Sequence, residues 1–204
     1  MKKFYLASAS PRRREILDIM GITHTVLTAP ADESVDTVLT PKEAGEILAA
    51  RKSLALKNRL VSEGKFDADT LILAADTLVY LDGEPLGKPQ SENDALDMLT
   101  ALSGREHIVC TGTCLIHGSR SVSASEVSIV RMRAFSREEA LSYVATGEPL
   151  DKAGAYGIQG KGAVLVDSID GDFFSIMGLS PKTVAKLLSA LGLDYFKSLS
   201  EFSK

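Results

Sequence analysis

The chain has 204 residues, 45% hydrophobic and 25% charged, a composition of globular proteins and too apolar for disorder. At this size roughly 70% of the unfolded surface can be buried, so a core needs no staples. Lys plus Arg number 23 against 27 for Asp plus Glu, a net charge of -4 that argues against an indiscriminate nucleic-acid binder but permits a small basic pocket.

Residues 3–8 read as a short buried strand. Ser10-Pro11 then opens a helix, with Ser as N-cap and Pro at the first helical position. Ile16, Leu17, Ile19 and Met20 supply its inner face, and Gly21 closes it. A strand near 22–29 and a loop over 31–36 follow. Thr40-Pro41-Lys42-Glu43 is a capping box that starts a long helix, with Ala44, Ile47, Leu48, Leu54 and Ala55 inward, ending before Gly64. Leu71 to Ala75 is a continuous apolar run, the pattern of a strand buried on both faces. Asp76-Thr77 stands at its end, and 78–81 continue to an Asp82-Gly83 turn. Ser91 caps a helix carrying Ala95, Leu96, Met98, Leu99 and Leu102 that stops at Gly104. Residues 106–117 and 121–133 read as two long strands joined at Gly118-Ser119, and Ser136 caps a helix to Gly147. A Gly-rich loop over 148–162 leads into strands at 163–168 and 172–177, and Ser180-Pro181 caps the final helix. Helices, βα steps and a hairpin together predict an α/β fold with a mixed sheet.

One feature contradicts local physics. The first turn of a helix prefers Asp or Glu, because its free N–H groups carry partial positive charge. Here it carries Arg12, Arg13 and Arg14 instead, each costing roughly 0.3–1 kcal/mol when exposed. A bound phosphate would reverse that sign, with N–H groups, helix dipole and guanidinium forks meeting one anion. Ser8 and Ser10 add hydroxyls at the same turn. The alternative is a solvated basic patch or a site for a cytoplasmic acidic partner.

Asp76 follows five apolar residues, so its carboxylate is expected at a strand-end rim, where open α/β sheets bind ligands. There it could hold a metal or take a proton from water. Glu33, in the first long loop, could supply a second hard oxygen ligand. Lys52 lies inside the long helix, and Lys88 sits between a permissive Gly87 and a rigid Pro89. Taken singly, each reads first as a solvated surface residue, and its force comes only from converging with Arg12, Arg13 and Asp76. The segment Asp151 to Gly160 is dense in Gly for a chain with 16 in total, which suits close backbone approach to a ligand. Its Gln159 offers donor and acceptor together, as a base edge requires.

Other fingerprints are absent. There is no Walker-type loop, no G-x-G-x-x-G and no G-x-S-x-G elbow. Cys110 and Cys114 lack His partners at zinc spacing, and two cysteines suggest a reducing cytoplasm rather than a disulfide framework. No apolar run approaches the ~20 residues that span a bilayer. The short Phe4–Ala7 run does not make a signal peptide. No membrane or nucleic-acid partner is expected.

In chain order, Leu6-Ala7-Ser8-Ala9-Ser10-Pro11-Arg12-Arg13-Arg14-Glu15-Ile16-Leu17, Ala75-Asp76-Thr77, Gly87-Lys88-Pro89, Leu102-Ser103-Gly104-Arg105-x-His107 and Asp151 to Gly160 resemble the signature of the Maf family of nucleoside triphosphate pyrophosphatases. The resemblance covers nearly the whole chain. It implies a fold like that of Maf and inosine-triphosphate pyrophosphatase: a mixed twisted sheet flanked by helices, two lobes around a central cleft, and one domain over 1–204. It also implies hydrolysis of a nucleoside triphosphate to the monophosphate and pyrophosphate with Mg²⁺ or Mn²⁺, and, weakly, a homodimer.

Within the family the chain resembles the branch acting on dTTP, UTP and modified pyrimidine nucleotides. By motif, Asp76 corresponds to the proton acceptor, and Arg12, Thr77 and Gln159 to the specificity positions. Ser8, Arg13, Glu33, Lys52 and Lys88 match other polar residues of the family's site, with Glu33 and Asp76 as the metal ligands. Asp76 as tight ligand and Asp76 as free base exclude one another, and both readings stand at this point. The branch acting on 7-methyl-GTP usually has Trp near Pro11–Arg12, which this chain lacks. Gly178-Leu179-Ser180 departs from the usual Gly-Leu-Pro. A nucleotide-binding regulator of septation with little turnover is the alternative implied by the family's name.

Overall fold

The computed structural model describes residues 2–34 and 39–202, so Val35 and Asp36 of the expected 31–36 loop lie outside the described residues. In chain order the strands are β1 (Lys3–Leu6), β2 (Thr25–Val26), β3 (Thr70–Leu81), β4 (Glu84–Leu86), β5 (Glu106–His117), β6 (Arg120–Met132) and β7 (Val166–Asp170). The helices are α1 (Pro11–Ile19), α2 (Pro41–Ser62), α3 (Glu92–Leu102), α4 (Arg137–Val144), α5 (Phe173–Met177), α6 (Pro181–Ala190) and α7 (Tyr195–Phe202). The strands form one mixed sheet ordered β2-β1-β3-β5-β6-β7, with β4 paired to β3 off that path. β1 runs parallel to both neighbours, Tyr5 facing Thr25 on one side and Ile72 on the other. β4 and β7 pair antiparallel to β3 and β6. The expected α/β class with a mixed sheet is the fold observed.

Local chemistry explains the element ends. The Thr40 hydroxyl accepts from the Glu43 N–H while the Glu43 carboxylate accepts from the Thr40 N–H, closing the capping box of α2. Ser91, Ser136 and Ser180 likewise cap α3, α4 and α6. Asp82 (φ 54°) and Gly83 (φ 87°) are both left-handed, as a two-residue hairpin turn requires.

Several expectations are corrected. Ser10 occupies the N-cap of α1, but its side chain makes no capping hydrogen bond. Ile19 and Leu54 are exposed. On α1, Ile16, Leu17 and Met20 share an arc that a 100° step per residue carries Ile19 out of, and Leu54 falls opposite the α2 face made by Leu48, Ala49, Leu56 and Leu60. The strand expected over 22–29 is two residues long. The Gly-rich stretch is three short 3₁₀ turns, and the third, Gly160–Leu165, replaces the first half of the strand expected at 163–168, the second half being the start of β7. Residues 173–177 are helical because Asp172 Oδ1 accepts from the N–H groups of Phe174 and Ser175, starting a turn that outweighs the apolar run. α6 is not the last helix. α7 follows it, with Phe202 edge-on to Phe4 and the Tyr195 hydroxyl donating to the Met20 carbonyl.

The chain divides into two compact units. The first takes in the chain up to Asp76, Thr111–Glu126, and the chain from Gly178 on; the second is Thr77–Cys110 with Val127–Met177. The first has a core of Ala7, Ala49, Leu56, Leu60, Ile72 and Ala74 with Cys114 and Ile116. There α2 lies so close to β5 that a Cβ on Gly112 would overlap the Gly45 carbonyl group, so only glycine fits. In the second, α3 and α4 pack together, burying Leu96, Leu99, Leu102, Ala140 and Val144. Among the described residues no helix is long and apolar enough to cross a membrane.

Candidate active site

Two apolar rows in the first unit end in opposite charges. Along α2, positions four apart stack on one face: Ala44, Leu48, Lys52, Leu56 and Leu60. All but Lys52 are buried hydrophobics. Along β3, Ile72, Ala74 and Asp76 share a face, and Ile72 and Ala74 pack in the core that holds Leu56 and Leu60. Lys52 and Asp76 therefore meet where both rows turn polar. The Lys52 ammonium hydrogen-bonds Asp76 Oδ1 and lies 2.8 Å from Glu33 Oε1. The Lys52 and Asp76 side chains are 20% and 15% exposed, whereas Glu33 is 70% exposed on its loop. Partly buried charges of this kind are tolerable only when paired.

Asp76 is not at a strand end, as the apolar run predicts; β3 continues five residues to Leu81. The carboxylate is reached instead because continuous burial stops at Ala75. Its Oδ2 makes no hydrogen bond among the described residues.

The strand-to-helix turn supplies the second half of the cluster. Ser8 is buried at the end of β1, and its hydroxyl accepts from the Ser10 N–H and from Arg13 Nη1 at 2.9 Å. Arg13 Nε donates to the Gly178 carbonyl at 2.8 Å. Burial pulls the Arg13 guanidinium below its ordinary pKa, with Arg12 adding to that effect while the Asp76 and Glu33 carboxylates oppose it. Arg12 is half-buried beside it, and α1 has no acidic residue in its first turn. Arg13 and Lys52 thus lie near two carboxylates, with the Arg12 charge close to Arg13. A desolvated positive excess at a helix N-terminus favours an anion, above all a phosphate.

Glu33 and Asp76 also pass a test as cation ligands. Both carboxylates reach one point, taken by the Lys52 ammonium, and two hard oxygens suit a divalent ion that keeps waters and phosphate oxygens as its other ligands. Among the described residues no group of three or more His, Cys, Asp or Glu could hold a metal by itself. The pair therefore fits an ion shared with substrate, not a closed protein cage.

The remaining expected residues belong to the second unit. Thr77 follows Asp76 on β3 and is half-buried, Lys88 is exposed, and Gln159 is half-buried between two 3₁₀ turns. The Gly154 N–H donates to the Gly87 carbonyl at 3.1 Å, joining the segment that carries Gln159 to the one that carries Lys88. Tyr156 is buried against His107 and has no free face for stacking. The glycines of this stretch pack against the protein's own groups rather than lying open to a ligand.

Sequence reasoning missed Arg51. Its guanidinium hydrogen-bonds the Ser34 carbonyl and lies 3.4 Å from Asp32 Oδ2, holding the loop that carries Glu33. Asp32 Oδ1 accepts from Ser34 N and Oγ, a local turn that the Asp-x-Ser spacing could have indicated.

A family model described as Maf-like protein matches residues 3–191. The chain belongs to the Maf-like family. This Maf-like chain is 46% identical over 197 residues to a dTTP/UTP pyrophosphatase of Moorella thermoacetica, covering 95% of the chain and 97% of the relative. Its identity to the protein of that name from Symbiobacterium thermophilum is 42% over 196 residues, 96% and 97% of the two chains. For the Aquifex aeolicus dTTP/UTP pyrophosphatase it is 41% over 188 residues, 92% and 95%.

Proposed function

We propose that this chain is a nucleoside triphosphate pyrophosphatase, acting on dTTP, UTP and related pyrimidine nucleotides to give the monophosphate and pyrophosphate. The observation that carries the reading is the Lys52 ammonium bridging Glu33 and Asp76, in a cluster that also holds Arg13. It is supported by relatives that carry this activity in their name and align over nearly their whole length. That activity favours turnover over a binding-only regulator.

In the proposed reaction water attacks the α-phosphorus, the bond from that phosphorus to the bridging oxygen breaks, and pyrophosphate leaves. Catalysis of this kind rests on positioning and charge stabilisation. Arg12 and Arg13 bind phosphate oxygens at the N-terminus of α1, and Ser8 and the Gly178 carbonyl hold Arg13 in place. Lys52 fixes the Asp76 carboxylate through Oδ1 and leaves Oδ2 to take the proton of the attacking water. Where Asp76 serves instead as a metal ligand, it and Glu33 would hold a divalent cation, Mg²⁺ or Mn²⁺, that would neutralise phosphate charge and acidify a bound water. Lys88 contributes to phosphate binding, and Thr77 and Gln159, with Arg12, to the choice of nucleotide.

The test is purified protein with Mg²⁺ or Mn²⁺ and a panel of nucleoside triphosphates, scoring pyrophosphate against phosphate. Pyrophosphate release, fastest with dTTP and UTP, is expected. Phosphate alone, or no release from any nucleotide, would sink the reading.

A further inference from the structure

The segment carrying Gln159 is clamped from two sides by groups outside the proposed chemistry. On one side is Glu148. Its Oε1 accepts from the Tyr143 hydroxyl at 2.9 Å and from the Gly162 N–H at 3.0 Å, and its Oε2 accepts from the Lys161 N–H at 3.0 Å. The Tyr143 hydroxyl in turn accepts from the Gly157 N–H at 3.1 Å. The backbone closes round this carboxylate so tightly that three glycines are required. A Cβ on Gly160 would lie 3.0 Å from Glu148 Oε2, one on Gly162 would overlap the Tyr143 hydroxyl, and one on Gly157 would lie 2.9 Å from the Gln159 carbonyl oxygen.

On the other side, buried His107 of β5 meets the hydroxyl of buried Tyr156 through Nε2 at 2.8 Å, ring edge to ring face. Between the clamps residues 154–158 are buried, and Gln159 is the first side chain to emerge. A half-buried carboxylate that spends its acceptors on the N–H groups of one short segment sets that segment's shape, since each lost bond would strand a polar group.

We propose that Glu148 and the His107–Tyr156 pair are positioning residues for nucleotide discrimination: they hold the Tyr156–Gly160 backbone so that Gln159 presents its amide to a pyrimidine edge. This rests on the proposed function, with Gln159 as the group that reads the base. A base contact made equally in substrate and transition state is uniform binding, so loosening the group that presents it raises KM more than it lowers kcat.

The experiment compares Tyr156→Phe, Glu148→Gln and Glu148→Ala, each alone and combined with Gln159→Ala, for kcat and KM on UTP and GTP. Tyr156→Phe keeps the ring and loses only the hydroxyl, so it remains informative if Glu148→Ala does not fold. The expected result is a rise of about 5-fold or more in KM for UTP with kcat within about 2-fold, and a UTP/GTP ratio of kcat/KM shifted toward that of Gln159→Ala, about 1 kcal/mol of discrimination. Glu148→Gln retains part of the wild-type ratio. On the Gln159→Ala background Tyr156→Phe adds no further shift, because both act through one side chain. A wild-type ratio in Tyr156→Phe, or an equal loss on both backgrounds, overturns the proposal. If the wild type itself hydrolyses no nucleoside triphosphate, or Gln159→Ala keeps the wild-type ratio, the functional reading has failed first.

Discussion

Asp76 and Lys52, the residues proposed to carry the chemistry, are each a charge placed where an apolar residue belongs. Asp76 ends the buried row of β3, and Lys52 interrupts the buried row of α2. Neither position is set by stability alone, since a buried ion pair is at best a weak stabiliser against well-packed hydrophobics. Replacing Asp76 by Asn separates its two possible roles. As a proton acceptor, Asp76→Asn lowers kcat by ~10²-fold or more with Mn²⁺ affinity unchanged by calorimetry. As a metal ligand it lowers Mn²⁺ affinity as well, and near-normal turnover would remove Asp76 from the mechanism. The Lys52 signal was legible, because a lysine in the row Ala44, Leu48, Leu56, Leu60 breaks a pattern visible in the sequence. The Arg13–Gly178 bond was not, since 165 residues separate the partners. Arg51 was invisible for the same reason: no local rule says which loop a helix arginine will reach.

At the scale of elements, termini were more legible than interiors. Caps at Thr40, Ser91, Ser136 and Ser180 are local hydrogen bonds, so residue type and spacing specify them. In the 148–162 stretch the glycines suggest permissive backbone, whereas Gly157, Gly160 and Gly162 make room for Glu148 and Tyr143. The 173–177 segment misled because one Asp outweighed an apolar run. The contact between β5 and this stretch has a measurable consequence. Burial pushes His107 from its ordinary value near 6.5 down to about 4. The unfolded chain therefore takes up a proton near pH 6.5 that the folded chain refuses until about pH 4, so stability is held above pH 6.5 and lost as pH falls toward 4. Between pH 7 and 5 the loss is about 2 kcal/mol. Urea unfolding at the two pH values should show it in the wild type and largely abolish it in His107→Gln. An equal loss in both proteins would contradict the burial argument.

For the whole molecule, the long strands β3, β5 and β6 are each shared between the two compact units. Apart from Lys88, the residues proposed to bind phosphate and metal, and the groups that hold them, gather in the first unit from the chain's start, middle and end: Arg13 with Ser8, Lys52 and Asp76, and the Gly178 carbonyl. An ordered α/β pattern could be read from the sequence, because each element signals locally. The convergence could not, because it depends on which distant segments pair in the sheet. The net charge of -4 likewise conceals the local cluster of Arg12, Arg13 and Lys52. The central claim is that this cluster directs water to the α-phosphorus. Hydrolysis of UTP in ¹⁸O-labelled water, followed by mass spectrometry of both products, tests it most directly. One ¹⁸O in UMP and none in pyrophosphate is the expected result; label in pyrophosphate, or release of phosphate instead, would contradict it.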